Sequence, residues 1–279
     1  MKPVAIVIGA IGKLPYAGMT YYWLHHIRGI QELGFEVHYI ERQNRPDEYY
    51  DSHHDTMTDD IEPALRYLSA LSATYGGGPD RFTLISGDGS AHGSGRSTML
   101  ADLEAAAVVL SVADATWFDD LARCPTRIFI DGDPMFTQAA IIDGDPRYRA
   151  VLDHYPVLCT YATRMGEPDC TVPDCGRTWL GTRPVVATSL WPVVPVDREA
   201  PLTALLHWSA GGSIEVGGIR YGNKDTSFRS IQELPSQVTR PALLAVGGGD
   251  APRAELEADG WHLASPLKHT ADRVAYQRF

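Results

Sequence analysis

Short apolar runs alternate with amphipathic stretches over the first 160 residues, and this alternation predicts strands and helices in turn. Residues 4–8 form a β-branched apolar run, and the stretch around Trp23 and Ile27 has helical spacing. Gly34 is a residue type that commonly ends a helix, and the segment 35–40, with Phe35, Val37, Tyr39 and Ile40, predicts a second strand. A strand, a glycine loop, a helix and a strand in this order predict a βαβ unit with a right-handed crossover.

The same alternation continues beyond this unit. The polar segment 44–60 predicts a loop, and an amphipathic helix is predicted from about residue 61 to residue 73. Because the predicted strands and helices alternate, we expect an α/β fold with a Rossmann-like parallel sheet and helices on both faces. The further strands are predicted at 82–86, 105–112, 127–130 and 156–161, the last of which is expected to end the sheet.

The character of the chain changes at about residue 166. From there to residue 201 the sequence is rich in proline and has little periodicity, which predicts an excursion followed by a linker. Strands are predicted again at 202–208 and 241–246, the second of which is followed by Gly247–Gly249. We therefore expect a domain over residues 1–200 and a partial second α/β domain over residues 201–279.

Composition excludes several classes of partner. The chain has 24 Lys and Arg residues against 35 Asp and Glu residues, a formal charge of −11, and no basic run, so nucleic acid is not an expected partner. It contains no apolar stretch of the roughly 18–20 residues that cross a bilayer. Four cysteines and no cleavage pattern after the first strand favour a reducing, cytoplasmic location.

Three predicted strand ends carry residues with candidate chemistry. The loop from Gly9 to Thr20 has neither the dinucleotide fingerprint nor the Walker A spacing, yet it lies where open α/β sheets bind ligands. Glu41 ends the second strand at the place of a ribose-binding acid, but without that fingerprint a solvated strand end is expected. Asp131 and Asp133 follow another strand, and a carboxylate there can act as a general base. A turn at Asp133 without any site role is an equal alternative.

No metal site is predicted. Cys170 and Cys175 have no second pair of ligands at zinc spacing, and the adjacent histidine pairs do not share a helix face. The run after Asp131 has Thr137 and Gln138 where the calcium loop of nucleoside hydrolases needs acidic residues. His25, in the first predicted helix, stays a candidate base or phosphate partner.

Several short motifs in one order resemble GT-B glycosyltransferases, and in particular a bacterial group similar to glycosyltransferase family 1. The opening segment from Ile8 to Glu41 is the first of them, and Asp131–Gln138 matches an Asp-x-Asp-Pro-x-Phe-Thr-Gln run of that group. Pro168–Pro173 matches a Pro-Asp-Cys-x-x-Pro segment, and Pro184-Val185 with Trp191-Pro192 matches a linker.

The resemblance implies transfer of a sugar from a nucleotide-sugar to a small-molecule or glycan acceptor, with no further cofactor. It implies a cleft between two Rossmann-like domains, the first holding the acceptor and the second the donor. The base would be Asp133 or, as a second choice, His25. The other implied substrate-binding residues are Gly12, Lys13, Gly18 and Thr20 beside the diphosphate, Asp131 and Gln138 near the base, and Arg220 or Lys224 in the second domain.

Only about 78 residues follow the linker, fewer than a full doubly wound domain has. We therefore expect this chain to fold but to lack a complete donor site, and to self-associate or use a partner. Two alternatives remain open: a non-catalytic Rossmann-like binding module, and an NAD(P)-dependent oxidoreductase. The first depends on the short second domain, and the second on the βαβ opening and Glu41.

Overall fold

The chain forms two compact units. The computed structural model describes residues 2–195, 197–209, 213–270 and 272–279. The first unit extends to Trp191, and the second is Pro192–Phe279. The predicted domain boundary was near residue 200. Each unit is described by itself below.

The first unit contains ten strands and five α-helices among its described residues. The strands are β1 (Val4–Ile8), β2 (Glu36–Arg42), β3 (Tyr49–Asp51), β4 (Thr56–Thr58), β5 (Arg81–Ile85), β6 (Ala91–His92), β7 (Ala106–Val112), β8 (Arg127–Asp131), β9 (Val157–Thr160) and β10 (Leu180–Gly181). The helices are α1 (Ala17–Glu32), α2 (Glu62–Tyr75), α3 (Met99–Ala105), α4 (Phe136–Ile142) and α5 (Pro146–Leu152), with short 3₁₀ helices at Asp119–Arg123 and Thr188–Leu190.

Eight of these strands form one sheet in the order β10-β9-β8-β7-β1-β2-β5-β6. Every neighbouring pair is parallel except β5 and β6. The chain builds outward from β1 to β2 and β5 on one side, and then returns to add β7, β8 and β9 on the other. This is the strand order of a doubly wound sheet, so the predicted Rossmann-like fold class is confirmed.

Helices cover both faces of this sheet. Ile6 and Ile8 of β1 are fully buried in one cluster with Leu103 of α3 and Leu121. The alternate residues of β1 point to the opposite face and are also fully buried, and α1 contacts β1 and β2. The α1 residues buried there include Trp23, Leu24 and Ile27. A strand without solvent on either face explains why β1 has an uninterrupted apolar sequence.

Two predictions about the first unit are wrong. The segment 44–60 is not only a loop, because β3 and β4 pair in an antiparallel hairpin. The predicted last strand does not end the sheet, since β10 pairs in parallel with β9. Strands of two or three residues are too short to show an apolar alternation in the sequence. The Tyr50 N–H donates to the Lys13 carbonyl, and this hydrogen bond joins the hairpin to the β1–α1 loop.

The second unit is smaller. Its strands β11 (Leu202–His207), β14 (Ala242–Gly247) and β15 (Trp261–Ala264) form a parallel sheet in the order β11-β14-β15, and β12 (Ile214–Val216) pairs with β13 (Ile219–Tyr221). Its helices are α6 (Lys224–Ser227), α7 (Leu234–Gln237), α8 (Arg253–Ala258), α9 (Pro266–Thr270) and α10 (Arg273–Arg278), with a 3₁₀ helix at Phe228–Ile231. Trp208, Phe228 and Trp261 form its aromatic core. Across the described parts of both units, no helix has the length and apolarity to cross a membrane.

Candidate functional site

A cavity of about 420 Å³ lies beyond the carboxyl ends of β1, β7 and β8. The connections after β1 and β7 lead to opposite sides of the sheet, so the crevice between them is the topological switch point of this fold. Open α/β sheets bind ligands at this place. The residues that line the cavity include Ala10, Lys13, Leu14, Gly18, Met19, Tyr22, Trp23, Ala113, Asp114, Gly132 and Asp133.

Asp133 lies at this cavity together with Lys13 and Gly18. Asp133 is exposed, whereas Asp131, two positions earlier, is completely buried. The Asp133 N–H donates to Asp131 Oδ1 at 3.2 Å, which fixes the turn after β8. An exposed carboxylate at a fixed position can accept a proton from a bound hydroxyl group.

Asp131 and Gln138 hold this turn and do not line the cavity. The Asp131 carboxylate accepts hydrogen bonds from Thr137 Oγ1 at 2.8 Å, Gln138 Nε2 at 3.0 Å and Thr160 Oγ1 at 3.0 Å. The Gln138 side-chain oxygen in turn accepts from the Met135 N–H at 2.6 Å. Met135 has a φ of +81°, an unfavourable conformation for a side chain with a Cβ, and this network stabilises it.

Lys13 is part of a buried ion cluster. Its ammonium nitrogen lies 3.1 Å from Asp114 Oδ2 and 3.4 Å from Glu48 Oε1, and only 6% of its side chain is exposed. Burial alone would lower the pKa of Lys13, but the carboxylates of Asp114, Glu41 and Glu48 outweigh burial and raise it. The charge of Lys13 is therefore neutralised by protein groups rather than directed at a ligand.

Gly12 sits on the buried carboxylate of Glu41. The Gly12 N–H donates to Glu41 Oε2 at 2.8 Å, and the Tyr39 hydroxyl donates to the same oxygen at 2.8 Å. The other oxygen, Glu41 Oε1, has no hydrogen-bond partner among the described residues. Desolvation raises the pKa of Glu41 to about 7, even though Lys13 and these donors favour the ionised form. The prediction that Glu41 is a solvated strand end is wrong, because Glu41 is completely buried and accepts a hydrogen bond from the β1–α1 loop.

Thr20 and His25 lie on α1 but do not line this cavity. Thr20 Oγ1 is 2.6 Å from the Tyr67 hydroxyl of α2 and is fully buried. The two ring nitrogens of His25 face the Ala187 N–H and the Trp191 indole N–H, each at 3.1 Å. Burial lowers the pKa of His25 and so favours its neutral imidazole.

Sequence reasoning missed two aromatic residues that line the cavity. Tyr22 packs so closely on Gly132 that a Cβ at position 132 would overlap the Tyr22 hydroxyl group. This hydroxyl group also donates to the Tyr161 hydroxyl at 3.3 Å. The Trp23 indole N–H donates to the Val112 carbonyl at 3.0 Å. The aromatic triplet 21–23, directly after the glycine loop, was the sequence signal that could have identified them.

The predicted donor-side cations lie in the second unit. Arg220 is in β13, with its guanidinium nitrogen 3.9 Å from Asp225 Oδ2. Lys224 is the first residue of α6 and is exposed. Within the described residues, no group of three or more His, Cys, Asp or Glu side chains could hold a metal ion.

No protein family model and no curated protein matches the sequence. Similar solved structures include an alpha-glucosyltransferase in complex with UDP and a 13-mer DNA with a central A:G mismatch, with a TM-score of 0.44 and 8% identity. The match covers 92% of this chain but only 59% of the length of that protein. Another is a proposed UDP-N-acetylglucosamine 2-epimerase from Listeria monocytogenes (0.42, 8%), with 99% of this chain matching 71% of it. A third is the glycotransferase of kitacinnamycin (0.37, 14%), with 94% of this chain matching 70% of it. Likenesses this remote do not assign an activity to the chain.

Proposed function

We propose that this protein transfers a sugar from a nucleotide-sugar to a hydroxyl-bearing acceptor, which the first unit binds. The observation that carries the proposal is the exposed carboxylate of Asp133 in a cavity at the switch point of the sheet. The ordered motifs that resemble GT-B glycosyltransferases support the same reading. The donor is assigned to the second unit, with Arg220 or Lys224 as a partner for its diphosphate.

Asp133 acts as the general base of an inverting reaction. Its carboxylate accepts the proton of the acceptor hydroxyl while that oxygen forms a bond to the anomeric carbon of the donor sugar. The bond between this carbon and the diphosphate oxygen breaks, and the nucleoside diphosphate leaves with the electron pair. Tyr22, which is partly exposed, gives the acceptor an aromatic surface, as is common where apolar surface and a few polar groups together orient a ligand.

The site favours an acceptor over a diphosphate. Asp133, Asp114 and Glu48 bring three carboxylates to the cavity against the cations of Lys13 and Arg45. Lys13 is already paired with Asp114 and Glu48, and Arg45 lies 3.6 Å from Glu48. A diphosphate would be repelled there, whereas a neutral hydroxyl group can donate a hydrogen bond to a carboxylate. This revises the role that the resemblance implied for Lys13, from a residue beside the diphosphate to one that fixes the acceptor site.

The test compares Asp133→Asn with Asp143→Asn, which removes an exposed carboxylate at the end of α4 that does not line the cavity. The full-length gene product is assayed with UDP-, GDP- and dTDP-sugars and a panel of hydroxyl-bearing acceptors. We expect Asp133→Asn to lower the transfer rate about 10²- to 10⁴-fold, with Asp143→Asn unchanged. Equal rates for the two variants, or no transfer with any donor, would overturn the proposal.

A further inference from the structure

A second and larger cavity opens beside the first. It has a volume of about 1100 Å³ and lies beyond the carboxyl ends of β2, β5 and β7. Pockets for small ligands usually measure about 300–1,000 Å³, so this one has room for more than a single small ring. None of the residues that the sequence marked as candidates for substrate binding or catalysis lines it.

Hydrogen bonds between its walls hold this cavity open. The Gln43 amide nitrogen donates to Asp59 Oδ1 at 2.6 Å, and the Gln43 amide oxygen accepts from the Gly87 N–H at 2.9 Å. On the other side, the Arg42 guanidinium donates to the Trp117 carbonyl at 2.7 Å. These bonds link the ends of three strands, so the space does not have to be created by a ligand.

The two cavities have a common wall. Arg45, Glu48 and Asp114 line both of them, and the last two hold the Lys13 ammonium group between them. A ligand with its reacting hydroxyl near Asp133 therefore has the larger cavity directly beside it. This makes the larger cavity the natural place for the rest of an extended acceptor.

The lining of the larger cavity sets the charge of that ligand. Its described residues include five carboxylates, those of Glu48, Asp59, Asp60, Asp88 and Asp114, against two guanidinium groups. Arg45 lies 3.6 Å from Glu48, and the Lys13 ammonium group between Glu48 and Asp114 adds a third cation, so the carboxylates exceed the cations by two. This excess of negative charge disfavours an anionic ligand, and Trp117 and Tyr148 offer apolar ring surface beside it.

We propose that the larger cavity binds the distal part of an extended acceptor that carries hydroxyl groups and positively charged amines. This inference rests on the proposed function for the reacting end of the acceptor, but the binding itself needs no donor. It assigns a ligand class to a cavity outside the predicted site.

Three trisaccharides separate charge from length as the basis of binding: tri-glucosamine, which is cationic; tri-N-acetylglucosamine, which is neutral; and tri-galacturonate, which is anionic. Each is titrated calorimetrically into the 279-residue chain without any donor, at low salt. The variants are Asp60→Asn and Asp88→Asn, both of exposed residues whose amide oxygens can keep the turn hydrogen bonds. Glu104→Gln is the matched control, because its exposed carboxylate lines neither cavity.

We expect tri-glucosamine to bind most tightly, and each cavity variant to weaken it about fivefold, as expected for one charge pair in water. The control should leave its affinity unchanged. Equal or tighter binding of the neutral or anionic trisaccharide, cavity variants that bind like the control, or no binding at all would each overturn the inference. Loss of transfer activity is a separate result, because this titration measures equilibrium binding alone.

Discussion

Replacing Glu41 by Gln is expected to change how the stability of the first unit depends on pH. Glu41 is fully buried, and one of its carboxylate oxygens has no hydrogen-bond partner among the described residues. Its pKa is raised to about 7 from the ordinary value of 4.5, chiefly because burial disfavours the charged form. Glutamine has nearly the same shape and no proton to release in this range.

The sign of the effect follows from which state keeps the proton. In the unfolded chain Glu41 loses its proton near pH 4.5, whereas in the folded chain it keeps that proton up to about pH 7. Its contribution to stability is therefore fully present below pH 4.5, declines as the pH rises, and is lost above pH 7. The difference between the two pKa values corresponds to about 3 kcal/mol in the free energy of unfolding.

Two measurements check this expectation. The amide proton of Gly12 donates to Glu41 Oε2, so its NMR chemical shift should titrate with a midpoint near pH 7. Urea denaturation, followed by the folded-state amide signals of β1, gives the stability of the first unit at pH 4.5 and pH 8. Relative to the unmodified chain, Glu41→Gln should gain about 3 kcal/mol between these pH values, whereas the exposed control Glu104→Gln should not.

A Gly12 midpoint near pH 4.5, together with parallel stability curves for the unmodified chain and Glu41→Gln, would refute this reasoning. It would mean that Lys13 and the hydrogen bonds to Glu41 compensate fully for its burial. Burial would then not be the largest effect on the pKa of Glu41.

Two further substitutions test the packing around the smaller cavity. Gly132→Ala should lower the free energy of unfolding by about 1–3 kcal/mol, because the new Cβ overlaps the Tyr22 hydroxyl. Adding Tyr22→Phe to the same chain should recover part of this loss. The control Gly249→Ala should cost less, because a Cβ at position 249 would have no other atom within 4 Å. Lys13→Met should cost about 3–5 kcal/mol in urea denaturation, because it leaves buried carboxylates unpaired, and a loss no larger than that of the exposed control Lys2→Met would contradict this.

The sequence was most informative where secondary-structure elements are long. β1 has a continuous apolar run because helices cover both faces of the sheet, and the positions of β1 and β2 were both predicted to within two residues. β6 and β10 have two residues each and owe their existence to a neighbouring strand, so no local pattern marks them. The β3–β4 hairpin was not predicted for the same reason.

The surroundings of the candidate site were harder to predict than its place. Asp133 could be put at the edge of the sheet because parallel strands present their carboxyl ends on one side. The partner of Lys13 could not be predicted, because Asp114 is 101 positions away along the chain and only the fold brings the two together. The burial of Glu41 likewise depends on how the β1–α1 loop lies over it.

The cluster around Lys13 bears on where a nucleotide-sugar can bind. One ammonium group lies among the carboxylates of Glu41, Glu48 and Asp114, and Asp133 adds another carboxylate at the cavity. Arg45 also lines this cavity, but it lies 3.6 Å from Glu48, so both cations there already have carboxylate partners. A diphosphate brought to this edge of the sheet would meet an excess of negative charge. The cations for the diphosphate in our proposal therefore have to come from the second unit, where Lys224 is exposed and Arg220 has one carboxylate at 3.9 Å. The first unit is then left to select a neutral or cationic acceptor, so that the two substrates are separated by charge.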